Sequence, residues 1–375
     1  TKRGLWRPTP APCASTSIPK AKLRTTVLAW TMHHCWRPSV SHRAATAETA
    51  PWAGVLRPST TSTPTRDAGP GRTVSDRINL AGRTSTEIVD LVAPHVDRPF
   101  RSRQVARWVV ERNAETFLEM TNISKELRSD LAKRFTIEEP TPVDKVSSSD
   151  DSVKYLLRLA DGVEVESVAM LEGAKATFCL SSQAGCAVGC RFCVTGAIGA
   201  GRNLLPHEIV GQYRLMLRGI DPSVERVNIV FMGMGEPLLN TDNLGRALEV
   251  LYERVSPKRI TVSTVGVLPG IRWLAELPKR PKLAVSLNAP DQVRREQLMP
   301  IARRYPLAEL FSVLRAFPLE RGRRITFEYV LIRDVNDAEA DAADVAGLVH
   351  GIPCKINVIP LNEDRHHFPD LRRPD

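Results

Sequence analysis

The chain has 375 residues, 42% of them hydrophobic and 25% charged, and a formal net charge of +10. That size supports one large core with a small accessory unit, which points to a single catalytic domain rather than a string of modules. The charge is uneven: residues 1–78 hold 12 Lys or Arg against 3 acids, leaving 40 basic and 39 acidic residues beyond, so the excess alone does not argue for a nucleic-acid partner.

No run approaches the roughly 18–20 apolar residues of a membrane-spanning helix, and Thr25–Trp30 is too short for the apolar core of a secretory signal. A cytoplasmic protein with no membrane partner is expected, and a monomer. Residues 1–77 are rich in Pro, Thr, Ser and Arg and show no hydrophobic period, so they read as a disordered extension in which Cys13 and Cys35 are bystanders. Order is expected from Ile78. Thr84 and Glu87 have capping-box spacing ahead of Ile88, Leu91 and Val92. A second helix follows Pro99 and buries Val105, Trp108 and Val109, and a third spans 125–135 with Leu127 and Leu131 inward. Residues 78–140 thus form a small helical accessory domain.

Two alternating runs, Val153–Leu159 and Val163–Met170, flank Asp161 and Gly162 and predict a β-hairpin within a linking segment, 150–172. From 173 to 375 the pattern becomes β then α, repeatedly. Strands are expected at Ala176–Ser181, Arg226–Phe231, Ile260–Ser263, Leu283–Leu287, Ile325–Ile332 and Lys355–Ile359. Helices are expected at about 207–218, 243–254, 268–276, 307–316 and 338–349. Six strands with right-handed helical crossovers predict an α/β fold, a parallel sheet curled into a partial (β/α)6 barrel with ligands at the carboxyl ends of its strands. Arg294, Arg295, Arg303 and Arg304 form a basic cluster that reads either as a solvated face or as part of a basic groove.

Seven cysteines, three of them within eight positions, do not look like a disulfide framework. Cys186, Cys190 and Cys193 form a C-x3-C-x2-C arrangement just after the first barrel strand. Three thiolates on a tight loop can each ligate one iron of a [4Fe-4S] cube, and Gly185 and Gly189 let the backbone wrap close to it. The fourth iron is then left open to chelate the amino and carboxylate groups of S-adenosylmethionine, whose sulfonium an electron through that iron can cleave. The alternative is a zinc site with His207 as fourth ligand, in a non-catalytic RNA-binding accessory protein.

Several separated segments strengthen the first reading: Glu119–Asn122, Cys179 seven positions before the cluster motif, Phe231–Asn240, Val262–Thr264, Ser286–Ala289 and Ile359–Asn362. In order and spacing, from Ile78 to Asn362, they resemble the RlmN/Cfr family of radical S-adenosylmethionine RNA adenine methyltransferases. The resemblance implies a radical SAM partial barrel and methylation of C2 of an adenine in 23S rRNA, with transfer RNA as a second substrate. Methylation of C8 is the close alternative within the same family. An electron donor such as flavodoxin is implied.

Further roles follow from the resemblance. Gly235 and Glu236 would meet the methionyl amino group, and Ser263, Ser286, Leu287 and Asn288 would hold the ribose or carboxylate. Asn362 would contact the adenosyl part, Glu166 would remove the C2 proton, and Cys179 would release product as a disulfide forms with a methyl-carrying cysteine. Read without the family, the polar residues are turn formers, Glu166 is a solvent-facing strand residue and Cys179 a buried core thiol. Two departures stand out. The family commonly has histidine where this chain has Asn288, and no cysteine follows Cys354, which does not match the carrier position. The expectation is a chain truncated at its C-terminal end, the alternative being a homologue that binds cluster and cofactor without methylating; either way the chain as it stands is unable to complete methyl transfer.

Overall fold

The computed structural model describes residues 77–374; the expectations for the N-terminal extension, with Cys13 and Cys35, lie outside those residues. A short strand β1 (Ile78–Asn79) precedes helices Ser85–Val92, Pro99–Val110 and Lys125–Arg134, after which β2 (Phe135–Thr136) pairs parallel with β1. The first helix starts where its capping box predicts: the Glu87 amide donates to Thr84 Oγ1 at 3.3 Å, and the Thr84 amide donates to the Glu87 carboxylate at 2.9 Å. Ile88, Val92, Val105, Val109 and Leu131 close a core of their own around Met120 and Phe135. Trp108 is only partly buried, because its indole N–H reaches out to Asn122 Oδ1 at 2.6 Å and Arg112 covers its ring at 4.3 Å.

This helical unit is fastened to helix Pro206–Gly219 by the buried Arg214. Its Nη2 donates to Ala114 O at 2.6 Å, Nη1 donates to Val109 O, and Nε pairs with the buried carboxylate of Glu139. A guanidinium with three separate acceptors fixes both position and angle of the unit it holds.

Strands β3 (Thr141–Ser147), β4 (Val153–Arg158) and β5 (Glu164–Glu172) form an antiparallel meander, one strand more than the expected hairpin. The extra strand escaped detection because all seven of its residues are exposed, leaving no buried alternation to read. Nor is the hairpin a detached linker: β5 pairs antiparallel with β6 (Lys175–Cys179), matching Val168 with Cys179. After two short strands, β7 (Gln183–Ala184) and β8 (Arg202–Asn203), come β9 (Arg226–Phe231), β10 (Ile260–Thr264), β11 (Lys282–Ser286), β12 (Ile325–Leu331) and β13 (Cys354–Pro360). The large sheet runs β13-β12-β11-β10-β9-β6-β5-β4-β3, with the six strands from β6 to β13 mutually parallel. Each parallel strand lies beside the next along the chain, with helices Pro206–Gly219, Thr241–Leu251, Leu268–Glu276, Leu307–Ala316 and Glu339–Val349 in the crossovers. This is the expected α/β partial barrel, left open between β13 and β3.

Alternation divides the two faces of that sheet. Ile229, Phe231, Val262, Leu283, Val285, Ile325 and Phe327 pack with Leu248, Leu274, Phe311 and Leu314 of the helices. Burying each large side chain contributes about 1.5–3 kcal/mol. The intervening residues, among them Cys179, Ser263, Ser286 and Glu328, line the concave side.

Candidate functional site

The cysteine loop leaves β6 at the carboxyl end of the sheet and is clamped at its base by the antiparallel β7–β8 pair. The Cys186 amide donates to Gly199 O at 2.7 Å, and the Cys193 amide to Cys190 O at 3.1 Å. Gly201 permits this closure, since a Cβ there would sit 1.3 Å from Ala184 O. Cys190 is buried, while Cys186 and Cys193 are partly exposed. Burial pushes the Cys186 thiol up to about 11 and Cys190 well above the usual range, and the neighbouring thiols and Glu236 push both further. A loop that gathers three cysteines and holds Cys186 and Cys190 where burial opposes ionisation suits a multiply charged iron cluster, whose cations displace the protons.

Among the described residues no three His, Cys, Asp or Glu side chains converge to hold a single metal ion. His207 lies instead at the start of helix Pro206–Gly219, its backbone packed against Gly82.

Beside the loop stands the turn after β9. Gly235 adopts φ 98°, and a Cβ there would lie 2.5 Å from Gln183 Cβ, so only glycine fits. Gln183 Oε1 accepts from the Glu236 amide at 2.8 Å, joining this turn to the base of the cysteine loop. The Glu236 carboxylate is buried, accepting from the Leu238 amide at 3.0 Å and the Val265 amide at 2.8 Å. Desolvation raises its pKa to about 7 despite those bonds. Asn240 donates to Ser182 O at 2.9 Å and Leu204 O at 3.0 Å, so this part of the Phe231–Asn240 segment pins the loop rather than facing a ligand.

Ser263 and Ser286 lie at the carboxyl ends of β10 and β11, Ser263 buried and Ser286 partly exposed, and Leu287 is buried in the core. Asn288 is buried with φ 57°, a conformation asparagine tolerates better than most residues. Its Oδ1 accepts from the Val330 amide at 2.8 Å and its Nδ2 donates to Met299 Sδ at 3.3 Å, so both ends of the amide are engaged within the protein. Asn362 follows β13 and is partly exposed.

Glu166 and Cys179 share the concave face, since Val168 opposite Cys179 is two residues from Glu166 on the same strand. Glu166 pairs with the nearly buried Lys154 at 3.0 Å, so it is neither freely solvated nor isolated. Cys179 packs with Met170 and Val230, and burial pushes its thiol up to about 12. The described cysteines, Cys354 included, are all free thiols.

Two features escaped the sequence reading. On the concave face Asn357 donates to Glu328 at 2.7 Å, burial raises the Glu328 pKa, and Asn357 Oδ1 is buried without a partner. Alternation of Glu328 between Phe327 and Tyr329 was the available signal. The basic cluster also divides. Arg295 is wholly buried, Arg294 pairs with Asp291 and Asp341, Arg303 lies 3.7 Å from Glu296, and Arg304 stands over Tyr305. No single basic groove forms there: Arg294 and Arg295 lie on a short helix, Gln292–Leu298, and Arg303 and Arg304 at the end of the separate turn Pro300–Arg303.

Comparison with known proteins follows the same lines. The Radical SAM superfamily profile matches residues 180–346, and the profile of the ribosomal RNA large subunit methyltransferase N-terminal domain matches residues 78–137. A dual-specificity RNA methyltransferase RlmN from Syntrophotalea carbinolica is 45% identical over 305 residues, covering 80% of each chain. Its counterpart from an Anaeromyxobacter species is 47% identical over 283 residues, covering 72% of this chain and 74% of its own. The crystal structure of a radical SAM methyltransferase from Sphaerobacter thermophilus superposes with a TM-score of 0.74 at 40% identity, covering 80% of this chain and 89% of that one.

Proposed function

We propose, from the premise that this chain belongs to the RlmN family of radical SAM RNA methyltransferases, that it methylates C2 of adenine in 23S ribosomal RNA and in transfer RNA. The observation that carries the reading is the juxtaposition, at one end of the barrel, of the three-cysteine loop with the Gly235–Glu236 turn, locked together by Gln183. In this reading Cys186, Cys190 and Cys193 hold a [4Fe-4S] cluster, and Glu236, Ser263, Ser286, Leu287, Asn288 and Asn362 surround S-adenosylmethionine. When bound, that pair supplies methyl groups and, after one-electron reduction, a 5'-deoxyadenosyl radical.

The chain's own residues then have distinct tasks. Glu236 accepts from the methionyl ammonium with the lone pairs its two backbone donors leave free. Asn288 acts through its backbone, its side chain being occupied. Glu166, kept on the concave face by Lys154, takes the proton from adenine C2. Cys179 stays a neutral thiol behind Val230 and Met170, where deep burial protects it from premature oxidation; the methyl-carrying cysteine it would pair with is not among these 375 residues, so turnover needs that cysteine in addition.

The helical unit is proposed to meet the RNA. Phe100 and Leu118 are exposed there, and Arg101 stands 4.8 Å from the Phe100 ring centroid, an aromatic and cationic surface of the kind that stacks on unpaired bases. A flavodoxin-like donor and action as a monomer complete the proposal.

Mass spectrometry of digested RNA from cells carrying or lacking the gene tests the reaction. The expected result is 2-methyladenosine that disappears with the gene. Appearance of 8-methyladenosine instead would move the chemistry to C8, and finding neither would refute the proposal.

A further inference from the structure

The short helix Gln292–Leu298 presses on the cysteine loop: the Arg191 amide donates to Leu298 O at 2.9 Å, and Leu298 and Met299 pack in one patch with Cys190. This helix carries Arg295, which is 0% exposed. Its Nη2 donates to Val265 O at 2.6 Å and approaches Ser286 O at 3.4 Å. Nε and Nη1 are buried with no partner, and among the described residues Arg295 forms no ion pair with Asp or Glu. The guanidinium is thus held behind the turn after β10, on the same helix that sets Leu298 and Met299 against Cys190.

A buried guanidinium with two idle nitrogens and no counter-ion is costly to keep, so it marks a place where negative charge arrives. Four irons, four sulfides and three thiolates sum to a net negative cluster, and reduction adds one more negative charge. A fixed cation in a low-dielectric wall favours the more negative form and raises the reduction potential. We propose that Arg295 is the built-in counter-cation of the cluster, a positioning residue that makes the reducing electron easier to accept without touching substrate. The inference rests on the reading that Cys186, Cys190 and Cys193 hold that cluster.

The test is a dithionite redox titration, followed by electron paramagnetic resonance, of the reconstituted full chain as wild type, Arg295→Lys and Arg295→Gln, with and without S-adenosylmethionine. Lysine keeps the charge and loses the fork, whereas glutamine keeps a donor and loses the charge. The inference expects the wild type and Arg295→Lys to titrate together. Arg295→Gln should show at least a tenfold smaller reduced-to-oxidised ratio at the same poise, which is a midpoint lower by about 59 mV for one electron. It is also supported if Arg295→Lys keeps its iron while Arg295→Gln loses it.

Equal midpoints in all three proteins overturn it. So does a defect confined to Arg295→Lys, or failure of both variants to fold or load iron, because either assigns Arg295 to the hydrogen bonds with Val265 and Ser286. A difference seen only with S-adenosylmethionine overturns it in favour of the cofactor's carboxylate. If the wild type itself takes up no iron, the cluster reading has failed, a result distinct from all of these.

Discussion

Glu236 and Arg295 are joined through one residue: the Val265 amide donates to the Glu236 carboxylate at 2.8 Å, and the Val265 carbonyl accepts from Arg295 Nη2 at 2.6 Å. A buried acid and a buried base thus hold the two backbone groups of Val265, the first residue after β10, each with capacity left over. Both also act electrostatically on Cys190, the acid opposing its ionisation and the base favouring it.

The raised pKa of Glu236, about 7 against an ordinary 4.5, gives a signed pH prediction. An acid raised by folding stabilises the folded state fully below the unfolded value, and that contribution is lost as pH rises through the folded value, a span on the order of 3 kcal/mol. Melting of the cluster-free protein from pH 5 to pH 8 should therefore show Glu236→Gln gaining on the wild type as pH rises, whatever constant cost the lost hydrogen bond imposes. Affinity for S-adenosylmethionine should move the other way in the wild type, strengthening as Glu236 ionises. Parallel pH profiles of the two proteins would contradict this.

Gly235→Ala should both strain the chain and displace Gln183. With φ at 98° and the new Cβ 2.5 Å from Gln183 Cβ, a cost of about 1–3 kcal/mol is expected. Equilibrium dialysis with S-adenosylmethionine should show at least tenfold weaker binding.

Arg214→Ala should loosen the helical unit. The partly buried Glu139 keeps Arg218 as a partner, so the loss belongs at the low end of the about 3–5 kcal/mol for breaking a buried pair. Chemical denaturation measures it, and limited proteolysis should cut first between residues 77 and 140.

Cys179, with its thiol pushed up to about 12 by burial, should resist iodoacetamide in the native protein at pH 8. Mass spectrometry should find the more exposed Cys354 alkylated first. Cys179→Ala should leave iron content intact.

Much of this arrangement was legible in the sequence. The capping box of Thr84 and Glu87, the six parallel strands and the spacing of the cysteine loop each have a local cause, so local pattern revealed them. Arg295 was not legible, because one arginine among four carries no mark of which lies inside; its burial depends on how Leu298 meets Arg191. Asn288 looked like a cofactor contact from its place after Ser286 and Leu287, yet its amide ties β11 to β12 through Val330, a long-range bond that spacing cannot show. Strand β3 is likewise defined by its pairing with β4 rather than by its own composition.

The central claim is that Cys186, Cys190 and Cys193 grip a cube of iron and leave one corner for a sulfonium ligand. Anaerobic reconstitution, iron analysis and chromatography after dithionite reduction with S-adenosylmethionine test it together. The account predicts about four irons per chain and release of 5'-deoxyadenosine, both abolished in Cys190→Ala. A colourless protein binding one zinc, or an iron-loaded one that leaves the cofactor intact on reduction, would contradict it.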